Sequence, residues 1–111
     1  MDVSVFLHDL IPQEDLQNGL KRRILAYTKD LMIVEVHFEK DAVGAHHTHP
    51  HTQCTYIRDG EFLFDIGGEW KLLKKGDSVS FAPNVLHGLK CVEEGTLLDI
   101  FTPMREDFIG K

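Results

Sequence analysis

The sequence predicts an all-β fold, either a sandwich or a barrel. Apolar runs of strand length alternate with short turn segments along most of the chain, and Asp59-Gly60 and Gly67-Gly68 are two of these turns. The turns recur about every ten residues, which is the spacing of an all-β sandwich or barrel. Asp-Gly and Gly-Gly dipeptides between alternating apolar residues predict hairpins, because tight primed turns need positive φ.

The elements follow in order from the N-terminus. The segment IPQEDLQNGL predicts one short helical turn that ends at Asn18-Gly19. Strands are then predicted for seven segments, which are LMIVEVHF, CTYIR, EFLFDI, EWKLL, SVSFA, HGLKCV and TLLDIFT. Several strands are apolar on both faces, among them those that contain LMIV and LLDIF. One face can fill the interior, but the other needs a cover, so we expect a homodimer.

Composition limits the classes of partner. The chain has 111 residues, of which 42% are hydrophobic and 27% charged, as expected for one globular domain. Its net charge of -6 argues against nucleic acid as a partner, because phosphate binding needs a basic face. The sequence contains no run of about 18 apolar residues, which a membrane-spanning helix would need. The start MDVSVFLHDL lacks the basic segment of a secretory signal. We therefore expect a cytoplasmic protein with neither nucleic acid nor membrane as partner.

The two cysteines, Cys54 and Cys91, both lie in strand-like segments. In a chain without an export signal, buried reduced thiols are favoured over a disulfide or a ligand role.

The stretch HHTHPHTQ concentrates four of the seven histidines within six positions. It is internal and interrupted, unlike a purification tag. A His-rich tract favours metal binding, because neutral imidazole offers a lone pair to a transition metal. In an extended strand His47 and His49 would share one face, and Gln53 returns to that face after Pro50. Later, PNVLHG places His87 just after a turn, where its imidazole can point inward.

The remaining histidines carry weaker signals. His51 follows Pro50, so we interpret it as a residue that packs against the site. His46 has the wrong parity for the pair. His8 and His37 are interpreted as ordinary surface or partly buried residues.

The histidine spacing resembles that of the cupins. Their first motif reads His-x-His, three or four residues, Glu, six residues, Gly, and His47, His49, Gln53 and Gly60 reproduce this spacing. Gln53 stands where most cupins have Glu. A neutral amide oxygen can still coordinate a metal, but it leaves the site more Lewis-acidic.

The second cupin motif is matched at Gly76 and His87, whereas Ala82 and Asn84 replace its usual Pro and Gly. The resemblance covers residues from about 20 to 108. It implies a single cupin domain over 1–111, with a double-stranded β-helix (jelly-roll) barrel as its core. It also implies one divalent transition metal, which is nickel, zinc, manganese or iron. The ligands would be His47, His49, Gln53 and His87.

The stretch LLDIFTPMREDF near the C-terminus is also unusual. Asp99 lies in the middle of an apolar strand, where an unpaired carboxylate is costly and needs a partner or a task. Pro103 ends this strand, and Arg105 can fold back over the barrel mouth. A structural salt bridge between Asp99 and Arg105 is the alternative to a catalytic role.

This ending, together with the metal motif, is similar to the KdgF-type cupins, known as pectin degradation proteins. The resemblance implies that Asp99, Phe101 and Arg105 form an active site beside the metal. It further implies conversion of 4,5-unsaturated uronate monosaccharides, released by pectate or alginate lyases, to the linear 5-keto form. Two alternatives stay open: a cupin dioxygenase, and a non-enzymatic module that binds a metal or an anionic sugar.

Overall fold

A computed structural model describes residues 2–109 of the chain. In this part of the chain ten strands and two short helical segments are present. A 3-10 helix spans His8–Leu10, and the strands are β1 (Glu14–Asp15), β2 (Leu20–Tyr27), β3 (Met32–Phe38), β4 (Val43–His47), β5 (Thr52–Ile57), β6 (Glu61–Ile66), β7 (Glu69–Lys74), β8 (Ser78–Phe81), β9 (His87–Glu93) and β10 (Gly95–Thr102), followed by helix α1 (Glu106–Ile109).

The strands form two antiparallel sheets that face each other. Sheet A has the order β1-β2-β3-β10-β5-β8, and sheet B has the order β4-β9-β6-β7. From β3 onward each connection except the one between β6 and β7 carries the chain from one sheet to the other. The predicted all-β fold is therefore confirmed, and all seven predicted strand segments correspond to strands.

The two predicted hairpin turns have different outcomes. Gly67-Gly68 joins β6 to β7 in a hairpin, as predicted, and both glycines have positive φ. Asp59-Gly60 does not close a hairpin, because β5 and β6 belong to different sheets. A Cβ atom on Gly60 would lie 2.7 Å from the Glu93 carbonyl oxygen. Glycine is required at this crossing by close backbone contact as well as by its φ of 83°.

The helical turn predicted for IPQEDLQNGL is wrong. The segment instead contains β1, which pairs with β2, and a tight turn in which Gln17, Asn18 and Gly19 all have positive φ. Three consecutive residues in the left-handed region exclude a right-handed helix there. In place of the helical turn, β1 pairs with β2, and the backbone N–H of Leu16 donates to the carbonyl oxygen of Leu20.

The hydrophobic core lies between the sheets and is built from alternate residues of each strand. On β10 the side chains of Leu97 and Phe101 are almost completely buried, and Asp99 shares their inward face, as predicted. On β5 the inward residues are Gln53, Thr55 and Ile57. Polar side chains are therefore placed inside the barrel at one end of the core, and they define where a site can form.

The cysteine prediction is half correct. Both thiols are free, and Cys91 is buried, with a pKa raised to about 11 by burial. Cys54 is exposed, because its position on β5 points away from the core. Within residues 2–109, no helix is long and apolar enough to cross a bilayer.

Candidate metal centre and its cavity

The three predicted histidine ligands converge at one end of the barrel. His47 is the last residue of β4 and His87 is the first residue of β9, and the two are direct cross-strand partners. His49 lies beyond the end of β4, so the expectation that His47 and His49 share one strand face is wrong. The connection between β4 and β5, not strand parity, brings the His49 ring to 5.4 Å from the His47 ring and 5.1 Å from the His87 ring.

Backbone carbonyls orient two of these imidazoles. His47 Nδ1 donates to the Ala45 carbonyl oxygen at 2.9 Å, and His87 Nδ1 donates to the Val85 carbonyl oxygen at 2.9 Å. A protonated Nδ1 leaves the lone pair on Nε2, which is the form that binds a metal. The His87 ring is also stacked on Phe81, with centroids 4.4 Å apart.

Gln53 joins the cluster through its amide oxygen. Its Nε2 donates to Thr55 Oγ1 at 2.9 Å and to Asp99 Oδ1 at 3.1 Å, so the amide orientation is determined by two acceptors. Gln53 Oε1 then faces His49 Nε2 at 2.8 Å. This spacing fits a hydrogen bond, and it also fits two neighbouring ligands of one ion.

The nitrogen atoms of the cluster fit a metal ion. One ligand atom from each of His47, His49 and His87 lies within 4.8 Å of the other two. His49 Nδ1 and His87 Nε2 are buried and have no hydrogen-bond partner among the described residues. Burial lowers the pKa of His49 and of His87, which favours the neutral imidazoles that a metal needs. An orphaned buried nitrogen is costly, and a divalent transition metal would satisfy Nε2 of His87.

A cavity of about 310 Å³ opens beside this cluster. Its lining includes most of the residues that the sequence singled out, namely His47, Gln53, His87, Asp99, Phe101 and Arg105. His49 is buried next to it, 6% exposed. The structure thus brings all seven predicted site residues to one end of the barrel.

Asp99 is held at the cavity wall by one of its two oxygens. Oδ1 accepts hydrogen bonds from Thr55 Oγ1 at 2.6 Å and from Gln53 Nε2 at 3.1 Å. Burial raises the pKa of Asp99 to about 6, although the Thr55 hydrogen bond opposes this shift. The side chain keeps some accessible surface, which faces the cavity. Oδ2 has no hydrogen-bond partner within residues 2–109 and can therefore meet a ligand.

The alternative salt bridge between Asp99 and Arg105 is not formed. Arg105 Nε and Nη2 instead donate to Asp107, at 3.0 and 2.8 Å, because the turn into α1 places the two side chains side by side. This pairing lowers the pKa of Asp107. The Arg105 guanidinium also lies 4.3 Å from the centroid of Phe108 and 5.2 Å from that of Phe101.

The other histidines lie outside the cluster. His46 points to the outer face of sheet B, where its Nε2 is 2.7 Å from Asp65 Oδ2. His51 packs beside the site, with its ring 5.4 Å from the ring of His49. His8 contacts Glu35, and His37 contacts Glu94, both on the outside of the barrel.

Sequence patterns did not single out Thr55, Arg22 or Phe108, which contribute to the cavity region. Thr55 orients Asp99, and Arg22 and Phe108 line the cavity. Strand parity could have identified Thr55, which is two positions from Gln53, and Arg22, which lies between Leu20 and Ile24 in LKRRIL. The position of Phe108 depends on α1, which no strand pattern predicts.

Two antiparallel sheets that enclose a three-histidine cluster beside a cavity define a small β-barrel with a candidate metal site. The Cupin domain family model matches residues 34–101, and the chain belongs to the cupin family, within its KdgF type. The chain is 43% identical over 106 residues to the pectin degradation protein KdgF of Dickeya dadantii (strain 3937), covering 94% of this chain and 96% of that protein.

Two solved structures are also similar to this chain. An RmlC-like cupin from Shewanella frigidimarina NCIMB 400 has a TM-score of 0.93 at 39% identity and covers 97% of each chain. KdgF from Halomonas sp. has a TM-score of 0.93 at 34% identity, covering 97% of this chain and 100% of that one.

Proposed function

We propose that this protein is a metal-dependent enzyme that converts 4,5-unsaturated uronate monosaccharides to the linear 5-keto form, 4-deoxy-5-hexosulose uronate. Pectate and alginate lyases release such sugars. The similarity to pectin degradation proteins supports a role in pectin breakdown. The observation that carries the proposal is that the histidine cluster, Asp99 and Arg105 all border one cavity.

The proposed substrate needs both proton transfer and charge stabilisation. Its ring is a cyclic hemiacetal, with a C4=C5 double bond next to the C6 carboxylate. Removal of the proton from the C1 hydroxyl breaks the C1–O5 bond and leaves the electron pair on O5, which gives an aldehyde and an enolate. A proton added at C4 then gives the C5 ketone. The reaction is an isomerisation and consumes no oxidant.

Asp99 is the candidate acid and base for these proton transfers. Thr55 and Gln53 hold its Oδ1, while Oδ2 remains available at the cavity wall. A carboxyl group that is positioned by one oxygen can accept or return a proton through the other. Fixed geometry at this group lowers the entropic cost of reaching the transition state.

Arg105 and Phe101 are the candidate binding residues. Asp107 occupies the Nε and Nη2 edge of the Arg105 guanidinium, and the Nη1 end remains for a substrate carboxylate. Phe101 gives the cavity an apolar wall, which can orient the sugar and exclude water. A local cation is needed, because the overall charge of -6 repels an anionic sugar.

His47, His49, His87 and Gln53 would hold one divalent transition metal, of which nickel, zinc, manganese and iron all suit this set of donors. When bound, such an ion supplies Lewis acidity to substrate oxygens. The replacement of a carboxylate by the Gln53 amide removes one negative charge from the ligand set. The site is therefore less suited to stabilising highly oxidised iron.

The direct test is to supply lyase-generated unsaturated monosaccharide to the purified, metal-loaded protein. We expect the ultraviolet absorbance of the conjugated alkene to disappear at a rate proportional to enzyme concentration. Loss of the absorbance under anaerobic conditions would exclude a cupin dioxygenase, because ring opening needs no oxygen. Binding of the sugar without turnover would instead support the non-enzymatic module.

We further propose that the protein is a homodimer and is cytoplasmic. The outer face of sheet A carries apolar side chains in the middle of the sheet, among them Tyr56, Leu98 and Ile100, none of which is fully buried. A second copy of the chain would cover this face. Two free thiols, one of them exposed, agree with a reducing compartment.

A further inference from the structure

Arg22 is a cavity residue for which the proposed reaction has no role. It stands on β2 between Leu20 and Ile24, which pack against the hydrophobic core. Its side chain is 14% exposed, and it lines the same cavity as Asp99 and Arg105. A guanidinium at an inward-facing position is costly unless it is paired or has a ligand.

The contacts of Arg22 leave part of the guanidinium available. Its Nε and Nη2 donate to the two carboxylate oxygens of Glu14, at 3.3 and 3.1 Å. Its Cζ lies 4.2 Å from the centroid of the Phe108 ring. Nη1 has no hydrogen-bond partner in the described part of the chain. Because arginine carries five N–H donors in a planar fork, this end can bind a further acceptor.

Arg105 is arranged in the same way beside the same cavity. A carboxylate, that of Asp107, occupies its Nε and Nη2 edge, and its Cζ lies 4.3 Å from the centroid of Phe108. The two guanidinium groups therefore contact one aromatic ring, and both border the cavity. Each guanidinium is paired with a carboxylate, so what the two groups offer an anion in a protein of net charge -6 is the unpaired N–H donors at their Nη1 ends.

We propose that Arg22 is a second anion-binding residue of this cavity, and that the carboxylate of an anionic sugar is bound by Arg22 and Arg105 together. The ligand class rests on the proposed function. The arrangement of Glu14, Arg22, Phe108, Arg105 and Asp107 is independent of it. A carboxylate can accept hydrogen bonds at both oxygens, so two forks hold it more specifically than one.

Binding of an unreactive sugar tests Arg22 separately from turnover. Galacturonate serves as a saturated uronate and galactose as its neutral counterpart, each titrated calorimetrically into metal-loaded protein. We expect Arg22→Met to weaken galacturonate binding about tenfold or more, with no change for galactose. Lys21→Met is the matched control, because it removes the same charge from the neighbouring exposed position. Equal galacturonate affinity in the wild type and Arg22→Met would overturn the proposal.

A purely structural role of Arg22 predicts a different result. If Arg22 only anchors β1 through Glu14, then Arg22→Met and Glu14→Gln should lower the melting temperature alike and leave galacturonate affinity unchanged. We expect Glu14→Gln to bind galacturonate at least as tightly as the wild type, because the guanidinium remains. Arg22→Lys keeps the charge but loses the fork, so we expect severalfold weaker binding. Wild-type affinity in Arg22→Lys would count against the proposal even if Arg22→Met does not fold.

Kinetics with the unsaturated uronate separate this inference from the proposed function. We expect Arg22→Met to raise KM about tenfold and to change kcat by less than about twofold, since the carboxylate is held equally in ground and transition states. Wild-type protein that binds galacturonate through Arg22 without any turnover would refute only the reaction. Normal turnover with unchanged KM in Arg22→Met would refute only the role of Arg22. Wild-type protein that binds neither galacturonate nor the unsaturated uronate would refute both the reaction and the role of Arg22.

Discussion

His47 and His87 are direct cross-strand partners, and their ring centroids lie 4.5 Å apart. Each ring donates from Nδ1 to the carbonyl oxygen two residues earlier in the chain, on Ala45 and Val85 respectively. The pairing of β4 with β9 is irregular between Gly44 and His47, and beyond this irregularity the two histidines are opposed. Two imidazoles with the same tautomer are therefore presented side by side, as a shared metal ion requires.

We expect His49→Ala to lose both the metal and the activity. His49 is buried in the cluster, and the remaining two imidazoles and one amide bind a divalent ion much more weakly. His46→Ala is the matched control, because His46 points to the outside of sheet B. We expect this variant to retain the metal. Elemental analysis of the two variants, purified without a His tag, measures their metal content. A wild-type protein with no transition metal after loading would contradict the metal site itself.

We expect Asp99→Asn to keep the fold and the metal while turnover falls about a hundredfold or more. The amide oxygen can still accept the hydrogen bonds from Thr55 and Gln53, but the proton-transferring group is gone. Metal content, melting temperature and alkene loss are measured on one preparation. Asp107→Asn removes a carboxylate near the same cavity and should cost much less. Normal turnover in folded Asp99→Asn would end the acid and base assignment.

Glu35 on β3 predicts a loss of stability at acid pH. Burial raises its pKa, but hydrogen bonds and charges from His8, Arg23 and Arg58 outweigh burial, so the pKa lies below its ordinary value of 4.5. The contribution of Glu35 is complete above the pKa of the unfolded state and is lost as pH falls through the folded pKa.

The variant that tests this dependence is Glu35→Gln. We expect it to lower the free energy of unfolding by about 2 kcal/mol at pH 7, because Arg23 loses a buried partner. The difference from the wild type should shrink as pH falls below 4.5, the ordinary pKa of a glutamate, and through the lower pKa of folded Glu35. Urea unfolding at pH 7 and in the acid range measures the difference in the free energy of unfolding. A difference that is independent of pH would contradict the role assigned to Glu35.

We expect the homodimer to depend on the outer face of sheet A. Tyr56 lies on that face and is 43% exposed, so Tyr56→Arg should convert the dimer to a monomer. Trp70 is similarly exposed but belongs to β7 at the edge of sheet B, so Trp70→Arg should leave the dimer intact. Light scattering at micromolar concentration measures the mass. A wild-type mass of 12.7 kDa alone would reject the dimer.

The sequence by itself determined the fold class and which residues face inward. Alternation places Leu97, Asp99 and Phe101 on one side of β10 wherever that strand is paired, because the side-chain period of a strand is two. Turn dipeptides marked most strand ends, since positive φ depends on the local residue type. Alternation likewise places Gln53 inward on β5, whereas His49 lies beyond the end of β4, where strand parity does not apply.

Only the tertiary structure decided which strands are neighbours and what the side chains contact. Asp59-Gly60 looks like a hairpin turn, yet it carries the chain from sheet A to sheet B, and Gly60 lies close to the backbone of Glu93 and Gly95, far along the chain. Arg105 pairs with Asp107 rather than Asp99, because Asp107 belongs to α1, the helix that follows β10 in the chain. The partners of a side chain depend on long-range pairing, which a period of two residues does not encode. This is why Arg22, although its parity is visible in the sequence, became a cavity residue only in the folded barrel.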